Sequence, residues 1–282
     1  MVRARALDGA SVEVHPNGAH VTSWRPAPGD EERLFLSSCS SLAEGAAIRG
    51  GIPVIFPQFA TEGPLPRHGF ARTSRWMLKE PEDDPNGDAF VSLVLTDSPA
   101  TRAIWPAEFR TTITVRAGGR RLATTLAVEN TGREGFCFAA ALHTYVRVHD
   151  VNDAEVIGLH GSRYRVLTAP DEFMVDEREV IRFAGEIDRV YMEAPPRLTL
   201  REPTRELTVE MAGFRDVVLW NPGATKAAAL SDMEPDGERR MICIEAAVVH
   251  TPVQLEPGRS WSGTQTLMAA EPSGATPTRE DA

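Results

Sequence analysis

Apolar and polar residues alternate with a period of two along most of this chain, and this pattern constrains the fold more than any other feature. Between residues 109 and 130 the alternation runs up to Gly118-Gly119 and then continues on the return segment. Nearer the N-terminus it flanks Asn17-Gly18, a dipeptide that strongly favours a tight hairpin turn. Successive side chains of a strand point to opposite faces of a sheet, so these segments indicate half-buried antiparallel strands.

Further short segments carry the same alternation, and helical patterns are rare. The only short helices predicted are at 41–48 and within 167–175. Many short strands separated by turn residues are typical of a large antiparallel sandwich or barrel. The additional strands are predicted at 91–97, 206–213, 216–222, 241–249, 252–258 and 260–269.

We therefore predict an all-β, mostly antiparallel fold that forms a single domain over residues 1–270. All-β chains of this length often form one unit. Residues 271–282 are polar, lack aromatic residues and contain Pro and Gly, so a disordered tail is predicted there.

The charge and cysteine content limit the partners and the compartment. A formal net charge of -10 disfavours nucleic acid and anionic membranes as partners, although a few arginines can still form a local anion pocket. Three widely spaced cysteines do not form a disulfide framework. The sequence has neither a signal-peptide pattern nor a membrane-spanning apolar run. We expect a soluble, cytoplasmic monomer.

The segment 48–76 is too rich in proline and glycine to form a regular helix or strand, yet it contains three phenylalanines. A packed, irregular loop is a common way to place side chains around a ligand, and this one carries His68 and four arginines. A purely structural loop is the alternative, and for an arbitrary loop of this kind it is the better one.

Two later segments place a titratable residue inside an apolar strand. His143 follows a run of small residues that leave space in front of its face of the strand, although a hydrogen-bonded core histidine is the commoner case. Glu245 lies in the middle of the apolar run 241–249. A buried carboxylate is costly unless it is paired or functional, and burial raises its pKa toward that of a general base. A buried ion pair is an equally good interpretation of Glu245.

Taken in order, six segments of the chain resemble one protein family. The segments IRGGIPVIFPQF and LPRHGFAR are followed by ALHTYVRV, IDRVY, VVLWNPGATKAAALSDM and MICIEAA. Together they resemble the glucose-6-phosphate 1-epimerase branch of the aldose 1-epimerase family, and the likeness covers nearly the whole chain except the tail. The resemblance implies a galactose-mutarotase-like β-supersandwich. It also implies interconversion of the α and β anomers of a hexose 6-phosphate, with no cofactor and no metal.

The resemblance also implies roles for individual residues. The histidine of LHTY, His143, corresponds to the catalytic acid, and the glutamate of CIEAA, Glu245, corresponds to the general base. A carboxylate and an imidazolium on opposite sides of the C1–O5 unit would deprotonate the anomeric hydroxyl and protonate the ring oxygen. The implied substrate-binding residues are Arg49, Gln58, His68, Arg72 and Asp188, with Arg49 and Arg72 also helping to hold the phosphate.

Other functions remain open at this stage. The same residues could serve a mutarotase for unphosphorylated aldoses, with the arginines in structural roles, or a non-catalytic module that binds sugar phosphates. A glycoside hydrolase ranks low, because that chemistry usually needs two carboxylates and only one strong candidate is present. The sequence does not decide whether Arg67 or Arg75 also contacts phosphate. Trp220 and Asp232 are assigned packing or turn-forming roles.

Overall fold

The computed structural model describes residues 1–80 and 84–270 of the chain. Two short α-helices, α1 (Pro99–Ile104) and α2 (Gly223–Ala227), lie in this part, with 3₁₀ turns at Ala71–Thr73, Val151–Asp153 and Gly237–Arg240. The strands are β1 (Val2–Arg5), β2 (Ser11–His15), β3 (His20–Arg25), β4 (Val54–Ile55), β5 (Met77–Leu78), β6 (Ala89–Thr96), β7 (Phe109–Gly118), β8 (Arg121–Asn130), β9 (Phe136–Leu142), β10 (Tyr145–Arg147), β11 (Glu155–Ile157), β12 (Arg163–Val166), β13 (Ala169–Val175), β14 (Val180–Arg182), β15 (Ile187–Tyr191), β16 (Arg197–Glu202), β17 (Arg205–Ala212), β18 (Asp216–Asn221), β19 (Met241–Leu255) and β20 (Ser260–Ala269).

These strands form three sheets, and neighbouring strands run antiparallel. The smallest sheet has the order β1-β2-β3. An eight-stranded sheet has the order β13-β12-β15-β18-β19-β9-β4, with β10 also paired to β19. A nine-stranded sheet has the order β14-β11-β16-β17-β20-β8-β7-β6-β5. The predicted all-β, mostly antiparallel architecture with few short helices is confirmed.

The hairpin β7–β8 shows how the alternation produces this fold. Side chains of one parity on each strand are buried, among them Ile113 and Leu126, which pair directly across the hairpin. Gly119 and Arg120 form the turn with φ values of +57° and +59°, as a type I′ turn requires. The turn therefore lies one residue later than the predicted Gly118-Gly119 pair. The hairpin predicted around Asn17-Gly18 is present as β2 and β3.

The main core fills the space between the two large sheets. Ile242 and Ile244 of β19 belong to it together with Leu126 and Val128 of β8, and all four are fully buried. Burying one such aliphatic side chain contributes roughly 1.5–3 kcal/mol. Side chains of the other parity on β19 point to the opposite face of the eight-stranded sheet, where the candidate site lies.

Both helix predictions were wrong. The segment 41–48 has no helix because the Asn17 side chain bonds its backbone: the amide donates to Ala43 and Ala46, and its oxygen accepts from Gly45 N–H. The segment 167–175 instead contributes β13, which pairs with β12. The helix α1 was not predicted, although Ser98 and Thr101 form a capping box at its start.

The predicted break between two strands near residue 250 is absent. The strands predicted at 241–249 and 252–258 form one long strand, β19, whose register shifts between Val248 and Val253. The tail 271–282 lies outside the described residues. In the part of the chain that is described, no helix has both the length and the apolar character needed to cross a membrane.

Candidate active site

Strand register brings His143 and Glu245 together. Leu142 of β9 pairs with Ala246 of β19, and Tyr145 of β10 pairs with Cys243 in the same register, so His143 and Glu245 lie directly opposite each other. Directly opposed side chains of an antiparallel pair are close neighbours. His143 Nδ1 lies 3.3 Å from Glu245 Oε1, and both residues are buried.

The same register extends the site across two more strands. Val218 of β18 pairs with Glu245, and Trp220 pairs with Cys243. On β15, Asp188 pairs with Trp220. Asp188 therefore reaches the same face of the sheet as the His143–Glu245 pair, although it is distant from both in sequence.

The electrostatic environment holds both groups of the pair away from their charged forms. Burial, reinforced by His68, Arg49 and Arg72, lowers the pKa of His143 well below its ordinary value. Burial, reinforced by Asp188, raises the pKa of Glu245 well above its ordinary value. His143 Nδ1 and Glu245 Oε2 have no hydrogen-bond partner among the described residues. Buried polar atoms are normally paired, and because both residues line the cavity, these two unpaired atoms lie at or just behind its wall.

His68 approaches the pair from the irregular loop. Its ring centroid lies 5.9 Å from that of His143. The backbone N–H of Ala60 donates to His68 Nδ1 at 3.2 Å, so the neutral ring carries its proton on Nε2. Burial, followed by the charges of Arg72, Arg67 and Arg49, lowers the pKa of His68 to about 3. The neutral His68 ring therefore has an Nε2–H group that is able to donate a hydrogen bond.

Glycine follows each of the two loop residues that enter the site. Gly50 after Arg49 has φ +113°, and Gly69 after His68 has φ +68°. A Cβ on Gly50 would lie 2.4 Å from the Phe35 carbonyl oxygen, and one on Gly69 would lie 2.1 Å from that of Phe56. Only glycine fits these close approaches, which explains why the loop is glycine-rich yet packed.

The structure does not bring Gln58 to the cavity. Its side-chain oxygen accepts from the Leu65 N–H at 2.9 Å, and its amide nitrogen donates to the Leu65 carbonyl at 3.0 Å. The side chain is buried and is absent from the cavity lining. Both of its polar atoms bond the loop backbone, so Gln58 closes the loop, and its contact with substrate stays a prediction.

Arg49 enters the cavity but is already paired. Its Nε lies 3.2 Å from Asp232 Oδ1, and its Nη1 donates to the Tyr145 hydroxyl at 2.9 Å. The Tyr145 ring in turn stacks on His143, with centroids 4.8 Å apart and planes 9° apart. Asp232 therefore balances the charge of Arg49, which leaves it able to donate hydrogen bonds but adds little net positive charge.

Three other cations, Arg67, Arg72 and Lys226, line the cavity on the side that we call its mouth, where Arg67 is exposed to solvent. Arg72 donates to the Arg67 carbonyl at 3.2 Å, and its own Nε has no partner among the described residues. In that part of the chain no carboxylate lies at ion-pair distance from Arg67 or Arg72.

Two neighbouring cations are paired with carboxylates. Lys226 lies 3.7 Å from Asp188 and closer to the exposed Glu186. Arg75 pairs with Glu44 and does not line the cavity.

The groups that line this cavity define its chemistry. It has a volume of about 240 Å³, enough for a small ligand. An acid–base pair lies at its floor, a neutral imidazole donor at one side and cations at its mouth. Within residues 1–80 and 84–270, no three His, Cys, Asp or Glu side chains are grouped so that they could hold a metal ion.

Comparison with known proteins identifies the family. The model described as aldose 1-epimerase matches residues 2–268. The chain belongs to the aldose 1-epimerase family. A Cenchrus ciliaris protein is 35% identical over 95% of this chain and 84% of its own length. A Salmonella typhimurium protein is 32% identical over 90% of this chain and 85% of its own. Both are named "Putative glucose-6-phosphate 1-epimerase".

Comparison with solved structures supports the same fold. A Salmonella typhimurium structure described as "a putative mutarotase (YeaD)" superposes with a TM-score of 0.83 at 29% identity, covering 95% of this chain and 93% of its own. The galactose-mutarotase-like fold expected from the sequence is confirmed.

Sequence reasoning missed four residues that line the cavity of this family member. Tyr145 shares the strand parity of His143, which was a usable signal. Trp220 and Asp232 were assigned packing or turn roles, yet one forms the floor and the other holds Arg49. Lys226 lies on α2, and its approach to Asp188 follows from the packing of that helix, for which the sequence pattern gave no signal.

Proposed function

We propose that this member of the aldose 1-epimerase family interconverts the α and β anomers of a hexose 6-phosphate. The observation that carries the proposal is the cross-strand pair His143–Glu245, two buried titratable groups 3.3 Å apart in the wall of a cavity that has cations at its mouth. The names of the relatives point to the same reaction.

In the proposed mechanism, Glu245 removes the proton of the anomeric hydroxyl and His143 donates a proton to the ring oxygen. The C1–O5 bond breaks and gives the open-chain aldehyde. Rotation about C1–C2 then exposes the other carbonyl face, and the reverse transfers close the ring. The sequence suggested groups on opposite sides of the C1–O5 unit, but these two lie side by side on one wall. That arrangement still suits the reaction, because the anomeric hydroxyl oxygen and the ring oxygen are both bonded to C1 and so lie close together.

The pair needs one shared proton to start the reaction in either direction. With the pKa of Glu245 raised and that of His143 lowered by burial, the resting pair holds this proton on the carboxyl group. In this proposal the two side chains close from their 3.3 Å separation into a hydrogen bond when substrate binds, and the proton passes to His143. Activity is therefore lost on the acid side when the pair takes up a second proton. It is lost on the basic side when the pair gives up its only one.

The mouth of the cavity supports a phosphorylated substrate. Arg67 and Arg72 are cations without a carboxylate partner among the described residues, in a chain of net charge -10. Arginine binds phosphate through charge-assisted and often bidentate hydrogen bonds. We assign the phosphate to Arg67 and Arg72, with Arg49 donating to the sugar. Asp188 accepts from sugar hydroxyls, and His68 Nε2–H donates to a sugar oxygen.

Exchange spectroscopy at C1 tests the reaction directly. The wild-type protein should transfer magnetisation between the α and β signals of glucose 6-phosphate far faster than buffer alone. Glu245→Gln preserves the shape of the side chain but removes the base, so it should still bind the sugar phosphate while exchange falls ~10²–10⁴-fold. Binding without exchange in the wild-type protein would instead favour a non-catalytic sugar-phosphate module.

A further inference from the structure

One polar side chain lies in the main core directly behind the His143–Glu245 pair. Gln265 occupies a core-facing position of β20, between Gly263 and Leu267, and is 1% exposed. Its directly opposed neighbour on β8 is the buried Thr124, and its contacts on the eight-stranded sheet are Ile244 and Thr144. A buried amide is costly unless both of its polar atoms are bonded, so its partners indicate why it is there.

Gln265 bonds the two strands that carry the pair. Its side-chain oxygen accepts from the Thr144 hydroxyl, and its amide nitrogen donates to the Ile244 carbonyl at 2.9 Å. Thr144 immediately follows His143 in the chain, and Ile244 immediately precedes Glu245. One amide from the nine-stranded sheet thus contacts the neighbours of both groups at once.

The backbone at this point explains what the amide does. The register places Thr144 opposite Ile244, where a regular antiparallel pair exchanges two hydrogen bonds. Ile244 N–H does donate to the Thr144 carbonyl at 3.1 Å. Thr144 N–H, however, donates to the Leu142 carbonyl at 2.9 Å, and the Ile244 carbonyl loses its backbone partner. The Gln265 amide replaces that missing hydrogen bond.

We propose that Gln265 is a positioning residue, which completes the broken hydrogen-bonded pair Thr144–Ile244 and thereby fixes the spacing between His143 and Glu245. The inference rests on the proposed function for its kinetic consequence. Gln265 lies on the opposite face of the sheet from the cavity and touches neither the substrate site nor the cations at its mouth.

The expected effect follows from how strongly proton transfer depends on geometry. When the Ile244 carbonyl and the Thr144 hydroxyl lose this partner, the two strands can shift relative to each other at the pair. A displacement of about 1 Å can cost on the order of 10²-fold in rate. We expect kcat to fall about tenfold or more. KM should stay within about twofold, because the groups that bind the sugar phosphate are unchanged.

Four variants separate positioning from general stability. Gln265→Met keeps the length of the side chain but loses both hydrogen bonds, and Thr144→Val loses only the hydroxyl. Thr144→Ser restores that hydroxyl and should recover most of the lost rate. Thr111→Val is the matched control: Thr111 is fully buried in β7, and its hydroxyl donates to the Ala127 carbonyl at 2.9 Å. It should lose comparable stability with unchanged kcat.

The experiment measures kcat and KM by C1 exchange on glucose 6-phosphate, urea unfolding, and the ¹⁵N imidazole signals of His143. A fall of kcat in Gln265→Met and Thr144→Val, with a shifted His143 signal and an unaffected Thr111→Val, supports the proposal. Unchanged kcat in both variants, with only their stability reduced, overturns it.

The imidazole signals separate this inference from the proposed function. If the wild-type protein has no exchange activity, the proposed function fails, but the His143 signals still report its surroundings without substrate. In that case a shift in Gln265→Met with none in Thr111→Val supports the positioning role. Identical His143 signals in wild type and Gln265→Met overturn it.

Discussion

The floor and the mouth of the cavity are built in different ways. The floor residues His143, Glu245 and Trp220 lie on or between paired strands, where strand register places them beside one another. At the mouth, Arg67 and Arg72 lie on an irregular loop held by glycine turns and single hydrogen bonds. We infer from this difference a division of labour, in which the sheet carries the proposed proton transfers and the loop selects the substrate.

The largest expected effect is a loss of kcat in variants of the two titratable floor residues. Replacing His143 or Glu245 with Gln should each lower kcat by ~10²–10⁴-fold, because each removes one of two concerted proton transfers. The double variant should be little slower than either single one, since groups that act as a unit are strongly non-additive. C1 exchange rates at saturating glucose 6-phosphate measure all three. Losses that simply multiply would contradict a shared-proton pair.

A smaller effect is expected at the mouth. Arg67→Gln and Arg72→Gln should each raise KM for glucose 6-phosphate roughly tenfold or more, because a hydrogen bond to a charged group is worth about 1.5–3 kcal/mol. Their activity on unphosphorylated glucose should not change. Arg75→Gln is the control, since Arg75 comes from the same loop but pairs with Glu44 away from the cavity. An equal loss in Arg75→Gln would mean that the effect is only long-range charge.

The buried carboxyl group of Glu245 should also make folding stability depend on pH. Burial raises the pKa of Glu245 above the ordinary glutamate value of 4.5. Above pH 4.5 the unfolded chain therefore releases a proton that the folded protein retains, and the free energy of unfolding falls as pH rises. Glu245→Gln removes that penalty. It should be increasingly more stable than wild type as pH rises from 5 toward the raised pKa of the folded carboxyl group, by at most about 1.4 kcal/mol per pH unit. Urea unfolding at several pH values measures this, and a stability difference independent of pH would show an unshifted carboxyl.

The smallest effect on catalysis is expected at Gln58, which closes the loop but does not line the cavity. Gln58→Met removes two hydrogen bonds to Leu65 and should cost about 1–3 kcal/mol of stability, while KM for glucose 6-phosphate changes less than about twofold. Thermal unfolding and C1 exchange kinetics measure both. A large rise in KM without loss of stability would instead support the substrate contact that was expected from the sequence.

The sequence predicted the floor better than the mouth, for a physical reason. Strand parity alone placed His143 and Glu245 on faces with small or apolar neighbours, and those faces are the ones observed. Which strands adjoin is a long-range property, so the direct pairing of His143 with Glu245 could not be predicted from periodicity. The family resemblance assigned His143 and Glu245 to one site, and the strand register explains why they are neighbours.

Loops and local turns were predicted less well, because side chains far away in sequence determine them. The Asn17 side chain holds segment 41–48 in turns and prevents the predicted helix. Asp232 lies 183 residues from Arg49 in sequence, yet it balances the charge of that arginine. Arg67 and Arg72 therefore supply the arginine charge that no carboxylate balances. The resemblance identified Arg49 and Arg72, but only the structure shows which of them lacks a carboxylate partner.

One ratio tests the central claim that the floor performs the reaction and the mouth selects its substrate. It is kcat/KM for glucose 6-phosphate divided by kcat/KM for glucose, both from C1 exchange, in wild type and in the double variant Arg67→Gln/Arg72→Gln. We expect a wild-type ratio far above one, which the double variant brings close to one at unchanged activity on glucose. A wild-type ratio near one, or an undiminished ratio in the double variant, would contradict this account.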